Sequence, residues 1–278
     1  LLDSQDQLKM IELLALPAPL EVLVEVGVPG GRTGVRGHDD ALALARAARA
    51  SAAVRLAGVE CYEGLGVKGD DEADRATANA LMTRVQALAE ACDAEGLFEA
   101  PEVIVSAGGS AIFDLVAPAL KPVLSRPVVG VLRSGCYVTH DDGNYRRLMG
   151  AVNRRLGCER SLQAALEVWA MVQSTPEPGL ALLTAGRRDL SYDIEMPIPV
   201  RWCPIGERHP QATPAGWKVV GLNDQHAHLR WPADEAGPRV GDLVALGISH
   251  PCTTFDKWRW MAMIDDKGFV VDALTTCF

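Results

Sequence analysis

Over the first 140 or so positions, short solid apolar runs alternate with longer stretches in which apolar residues return every three to four places. The solid runs are Leu20–Val26, Leu56–Tyr62, Glu102–Ser106 and Pro127–Leu132, each bounded by glycine or proline, and they predict buried strands. The periodic stretches, 5–14, 39–53 and 71–92, predict helices; Asp39 or Asp40 caps the second, and the acidic run from Asp70 to Asp74 suits the start of the third. Strands that alternate with helices run parallel, joined by helical crossovers, in a barrel or a doubly wound sheet. Four strands do not close an eight-stranded barrel, and the chain does not start with methionine. The pattern therefore predicts the later half of a barrel.

After about residue 155 the texture changes. Short runs rich in β-branched and aromatic residues, 166–173, 179–183, 217–222, 227–231, 242–248 and 258–264, are separated by Pro/Gly turn signals at 176–179, 214–216 and 235–238. They predict antiparallel strands. The expected fold class is thus α/β, a partial TIM-type β/α barrel over residues 1–155 followed by a β-rich antiparallel domain over 156–278.

With 278 residues, 48% of them hydrophobic, the chain has material for two cores. Its formal net charge of −9 argues against nucleic acid or an anionic membrane as a partner, and it contains no apolar run long enough to span a bilayer. The seven cysteines follow no regular spacing, which suits reduced thiols and a cytoplasmic setting rather than a disulfide framework. Cys61 and Cys136 read as small core residues.

Two segments carry candidate chemistry. Strand 102–106 runs through Ser106, Gly108, Gly109 and Ser110 toward a helix. Such a junction either cradles a phosphate on its free N–H groups or is an ordinary turn with Ser110 as N-cap. The next strand ends in Ser134-Gly135-Cys136-Tyr137, and successive strand ends of this kind hold phosphate in β/α barrels, which favours the cradle. The second segment is His250-Pro251-Cys252. On an extended segment, residues two apart face the same way, and an imidazole with a thiolate suits zinc in a partly open site. On spacing alone, a His and a Cys two apart are more often unrelated residues. His140-Asp141-Asp142 reads as a helix-capping turn rather than a second metal site. His228 reads as a solvated loop residue, and Trp258 and Trp260 as packing on one strand face.

Taken in order, Glu25-Val26-Gly27 through Arg32-Thr33-Gly34, Gly58 to Gly64, Ser106 to Ser110, Ser134 to Tyr137 with His140-Asp141, Asn223 to His226, and His250-Pro251-Cys252 resemble the pyridoxal-phosphate enzymes of fold type III. The likeness is to the alanine-racemase-like barrels, in the D-serine dehydratase and D-threonine aldolase branch, over nearly the whole chain. It implies pyridoxal 5'-phosphate as cofactor, with its phosphate on Ser106, Gly108, Gly109, Ser110, Gly135 and Cys136. Arg32 would lie near the phenolic oxygen and Tyr62 near the pyridine nitrogen. It also implies a metal beside the cofactor on His250 and Cys252, where cysteine rather than aspartate at the second position favours zinc (Zn2+) and the dehydratase side. The family's Schiff-base lysine lies on the first barrel strand. None of Lys9, Lys68, Lys121, Lys218, Lys257 and Lys267 ends such a strand, which places that lysine outside this chain.

The resemblance implies a D-amino acid lyase that converts a β-hydroxy D-amino acid to a 2-keto acid and ammonia, with zinc assisting loss of hydroxide. The rival readings are a D-threonine aldolase-like retro-aldol enzyme, an amino acid racemase, and a non-catalytic cofactor-binding protein. Against the last stands the β-rich C-terminal domain, since such proteins resemble the barrel alone. Enzymes of this type pair as homodimers, and a homodimer is expected.

Overall fold

A computed structural model of the chain describes residues 1–109 and 111–277. The chain divides into two compact units, Leu1–Gly135 with Ala151–Cys158, and Cys136–Gly150 with Glu159–Phe278. Residues 136–150, expected in the first domain, thus group with the second.

In the first unit, β1 (Leu20–Val26), β2 (Val54–Cys61), β3 (Val103–Ala107) and β4 (Val128–Leu132) form a parallel sheet in the order β1-β2-β3-β4. The order never reverses. A doubly wound sheet changes direction at a switch point, whereas strands that always step the same way form an arc of a barrel. Helix α1 (Gln5–Leu13) precedes β1, while α2 (His38–Ala50) and α3 (Asp71–Ala94) cross between strands. Ala41, Leu44 and Ala48 of α2 and Leu81, Val85 and Leu88 of α3 pack in one core with Val24, Val59, Val105 and their strand neighbours. Alternation turns the remaining strand residues to the opposite face. There Glu25, Glu60 and Ser106 stand in register across three strands, all buried. The helix expected to open at Ser110 is shorter: Ser110 lies outside the described residues, and α4 covers only Phe113–Val116 before Pro118 tightens the chain into a 3-10 turn at Ala117–Leu120.

Helix α5 (Asn144–Leu156) is split between the units at Gly150. Its first-unit end carries Arg155, which is 4% exposed and donates to both oxygens of Asp114 (2.7 and 2.9 Å) and to Asp71 (2.8 Å).

The second unit is built on an antiparallel seven-strand sheet in the order β8-β7-β11-β5-β6-β10-β9. Its strands are β5 (Glu167–Glu177), β6 (Leu180–Leu183), β7 (Ile198–Cys203), β8 (Gln211–Ala212), β9 (Lys218–Leu222), β10 (Ala227–Arg230) and β11 (Leu243–Gly247), every recorded pairing antiparallel. Val168, Val172, Leu183, Leu229, Val244 and Leu246 form its core. Helix α6 (Pro251–Phe255) follows β11, and β12 (Trp260–Ile264) pairs with β13 (Val270–Thr275) in a separate ribbon. The sequence pattern missed β7, where Pro199 interrupts the run, and the short β8 and terminal β13. His228 lies on β10 rather than in a loop, with its Nε2 2.7 Å from Asn223 Oδ1. Among the described residues, no helix is long and apolar enough to cross a membrane.

Candidate active site

In the first unit the candidate residues gather at the C-terminal ends of the parallel strands, the end at which β/α barrels place their sites. Arg32 lies beyond β1, Tyr62 and Glu63 beyond β2, Gly108 and Gly109 beyond β3, and Arg133, Ser134 and Gly135 beyond β4. The turn that carries Arg32 is tied down by Arg36, whose guanidinium donates to the carbonyls of Gly31, Arg32, Thr33 and Gly34. Arg32 stacks over the Tyr62 ring, 4.4 Å from its centroid. The first two expected cofactor contacts therefore sit together.

The Gly108-Gly109 loop binds an anion of the chain's own. Glu63, 2% exposed, accepts the N–H of Gly108 at 3.1 Å and that of Gly109 at 2.6 Å. Two successive main-chain N–H groups converging on a carboxylate form an anion cradle. Ser134 Oγ donates to the Gly109 carbonyl at 2.9 Å, so the loop is pinned from the strands on both sides. A Cβ on Gly109 would lie 2.5 Å from Glu63 Oε1 and 3.0 Å from its Cδ, so the carboxylate would have to move off the loop. Gly109→Ala is accordingly expected to push Glu63 off the two amides and destabilise the cofactor-free protein by about 1–3 kcal/mol, as read by urea unfolding.

Ser106, expected to touch phosphate, is buried within the sheet. Its hydroxyl donates to Val131 O at 3.0 Å and accepts from Arg133 Nη1 at 2.9 Å. With its proton spent inside the sheet, it has none for a ligand, and the anion contact falls to the glycine amides. Gly135 is exposed beside open space. Arg133 was not singled out in the sequence. Its Nη2 donates to Cys61 O at 3.1 Å and lies 2.6 Å from Glu60 Oε2, out of line for a good hydrogen bond. Burial raises the Glu60 carboxyl above its ordinary range and neighbouring Glu25 adds to this, while Arg133 pulls the other way.

The second unit carries the other candidates. His250 and Cys252 do not share an extended segment. β11 ends at Gly247, His250 caps α6, and Pro251 takes the first helical position, which suits a residue lacking an N–H. Asp193 supplies what the spacing could not show. His250 Nδ1 lies 2.6 Å from Asp193 Oδ2, and Thr253 Oγ1 donates to Oδ1 at 3.1 Å. Because a carboxylate only accepts, Nδ1 carries a proton, and in the neutral ring Nε2 then has its lone pair free for an electrophile, the orientation found in metal-binding histidines. Against burial, which pushes it up, the bond from His250 holds the Asp193 carboxyl below its ordinary value. Cys252 is exposed; Cys136 is half-buried, and burial together with the neighbouring Cys252 thiol pushes it up to about 11. Among the described residues, no three His, Cys, Asp or Glu side chains are grouped to hold a metal. His250 and Cys252 would thus leave coordination positions open to water and substrate.

Two family models match the chain in succession: "Alanine racemase, N-terminal domain" over residues 1–126 and "Putative serine dehydratase domain" over residues 165–264. Together the two matches cover most of the chain and support the alanine-racemase-like, fold-type III pyridoxal-phosphate family, in the D-serine dehydratase and D-threonine aldolase branch. It is 29% identical over 180 residues to a 3-hydroxy-D-aspartate aldolase of Paracoccus denitrificans, covering 64% of this chain and 43% of that protein. It is 29% identical over 257 residues to a D-threonine aldolase of Arthrobacter sp., covering 92% and 60%. The chain spans about half the length of these curated relatives.

Solved family structures show the same fold. D-threonine aldolase from Filomicrobium marinum matches with a TM-score of 0.75 at 23% identity, covering 99% of this chain and 67% of that one. D-threo-3-hydroxyaspartate dehydratase from Delftia sp. HT23 matches at 0.66 and 22%, covering 97% and 69%. A cysteine-to-alanine variant of D-threo-3-hydroxyaspartate dehydratase, described as metal-free, matches at 0.67 and 23%, covering 97% and 69%.

Proposed function

We propose that the chain is part of a pyridoxal-phosphate-dependent D-amino acid lyase of the D-serine dehydratase type, acting on β-hydroxy D-amino acids with zinc. The observation that carries this reading is the pair of chemistries built into one chain of this family. One is an amide cradle that already holds an anion. The other is a histidine whose Nδ1 is fixed by a carboxylate, two residues from an exposed thiol.

The Glu63 carboxylate stands in for an anionic group on the Gly108 and Gly109 amides, so this loop fits a phosphate. Pyridoxal phosphate, when bound, supplies an electron sink for the pair released at the substrate α-carbon. Around it, Gly108 and Gly109 would hold the phosphate in exchange for Glu63, and Arg32 and Tyr62 would meet the ring. A neutral tyrosine at the ring nitrogen gives it no proton, which keeps the sink weaker than an aspartate partner would. His250 Nε2 and the Cys252 thiolate suit zinc as donors, and a zinc ion there would make the β-hydroxyl a better leaving group. The described strands β1–β4 carry no lysine, so every test of the reaction uses the full-length protein.

A retro-aldol reading is kept because both curated relatives are aldolases. The two part on products: keto acid and ammonia for the dehydratase, glycine and an aldehyde for the aldolase. The test is product analysis with D-serine and D-threonine.

We also propose a homodimer in a reducing, cytoplasmic setting. All seven cysteines are free thiols. The β12–β13 ribbon exposes Trp260 (54%), Phe269 (55%), Val270 (63%) and Val271 (64%), an apolar surface that suits a second copy of the chain. Light scattering is expected to give twice the protomer mass; a monomer at micromolar concentration contradicts it.

A further inference from the structure

Within the second unit lies a cavity of about 360 Å³ lined in part by His140, Asp141, Asp142, Arg146 and Glu167, which the proposed reaction does not use. Asp141 is fully buried. Its Oδ1 accepts from Gly143 N (3.0 Å) and Tyr145 N (2.9 Å), which makes the capping turn, but its Oδ2 has no partner. His140 is 3% exposed, and its Nε2 also has no partner. His140 further adopts φ +50°, a left-handed backbone that a non-glycine residue holds only where its surroundings enforce it.

The charges lining the cavity do not balance. Glu167 is matched by Arg201, whose Nε donates to it at 2.9 Å. Arg146 lies 3.8 Å from Asp142 and is 70% exposed. Asp141 is left as a buried carboxylate without a cation, beside a histidine that burial and Arg146 hold below its ordinary pKa and so keep neutral. A water would satisfy the open oxygen but not its charge, and one water fills only about 30 Å³. A metal ion finds no group of three His, Cys, Asp or Glu ligands among the described residues. What fits is a ligand that brings positive charge and several N–H donors at one atom.

We propose that this cavity binds a small primary ammonium compound, its –NH3+ donating to Asp141 Oδ2 and His140 Nε2. The site is independent of the lyase reading. In the test, methylammonium chloride is titrated calorimetrically into full-length, cofactor-loaded protein and into its Asp141→Asn variant, with tetramethylammonium and potassium chloride at matched ionic strength. Asparagine keeps the Oδ1 that caps the turn and removes only the charge. The visible absorption of the cofactor is followed in the same titration, so that any reaction of the amine there is read separately.

Saturable methylammonium binding is expected, weakened at least tenfold in Asp141→Asn, with no saturation by the other two salts. Should the variant fail to fold, the wild-type protein decides: the ring 15N signals of His140 should move with methylammonium and not with tetramethylammonium. Equal binding of potassium or tetramethylammonium, unchanged binding in Asp141→Asn, or a His140 signal indifferent to methylammonium overturns the proposal.

Discussion

Arg133→Met is expected to destabilise the first unit by about 3–5 kcal/mol, because it leaves a buried carboxylate without its counter-charge. Glu60 is fully buried, Arg133 lies 2.6 Å from it, and Glu25 stands beside it in register across β1 and β2. Arg133 also donates to Ser106 Oγ and Cys61 O, so its loss loosens β2 and β3 where the glycine cradle begins. The pH dependence follows from the direction of the Glu60 shift. Its carboxyl is raised in the folded protein, first by burial, so the folded state binds its proton more tightly than the unfolded state. Stability from that proton is present at low pH and falls as pH rises from the ordinary carboxylate range through the raised value. Without Arg133 the raise grows. The variant should therefore lose most against wild type at neutral pH and least near pH 4, as read by urea unfolding at both. The double variant Glu60→Gln/Arg133→Met should recover much of the loss, since no buried charge remains. Equal destabilisation at both pH values would show that lost packing, not charge, dominates.

Asp193→Ala is expected to lower zinc affinity 10- to 100-fold, the effect of removing a carboxylate that orients a metal-binding histidine. Asp193 fixes the His250 tautomer and ring position through the 2.6 Å bond to Nδ1, and Thr253 fixes Asp193 in turn. Without it the ring is free to turn, and the proton can move to Nε2, which removes the donor lone pair. Competition with a chromophoric chelator measures the change. Thr253→Val should give a smaller loss in the same direction. An affinity unchanged in Asp193→Ala would mean that His250 is not a zinc ligand.

What the sequence disclosed follows from how far each interaction reaches. β1 and β4 matched their predicted spans because solid apolar runs between proline and glycine leave few alternatives. β7 was hidden because Pro199, a residue sheets rarely accept, sits inside it. The helix read as opening at 110 begins only at Phe113. The His-Pro-Cys run read as extended, although proline is equally at home at the first position of a helix. Arg32, Tyr62, Gly108 and Gly109 could be named from motifs local to the chain. Glu63, Arg133 and Asp193 could not: Glu63 acts on a loop 45 residues away, Arg133 on Cys61 72 residues away, and Asp193 on His250 57 residues away. No periodicity links such partners; only the fold brings them together.

The most direct test of the lyase reading is product analysis on the full-length protein with bound cofactor and zinc, given D-serine and L-serine in parallel. Pyruvate and ammonia in equal amounts are expected from D-serine, none from L-serine, with the activity lost on removing zinc. Cofactor binding with interconversion of the two enantiomers, or with no consumption of D-serine, D-threonine or 3-hydroxy-D-aspartate, would contradict that reading.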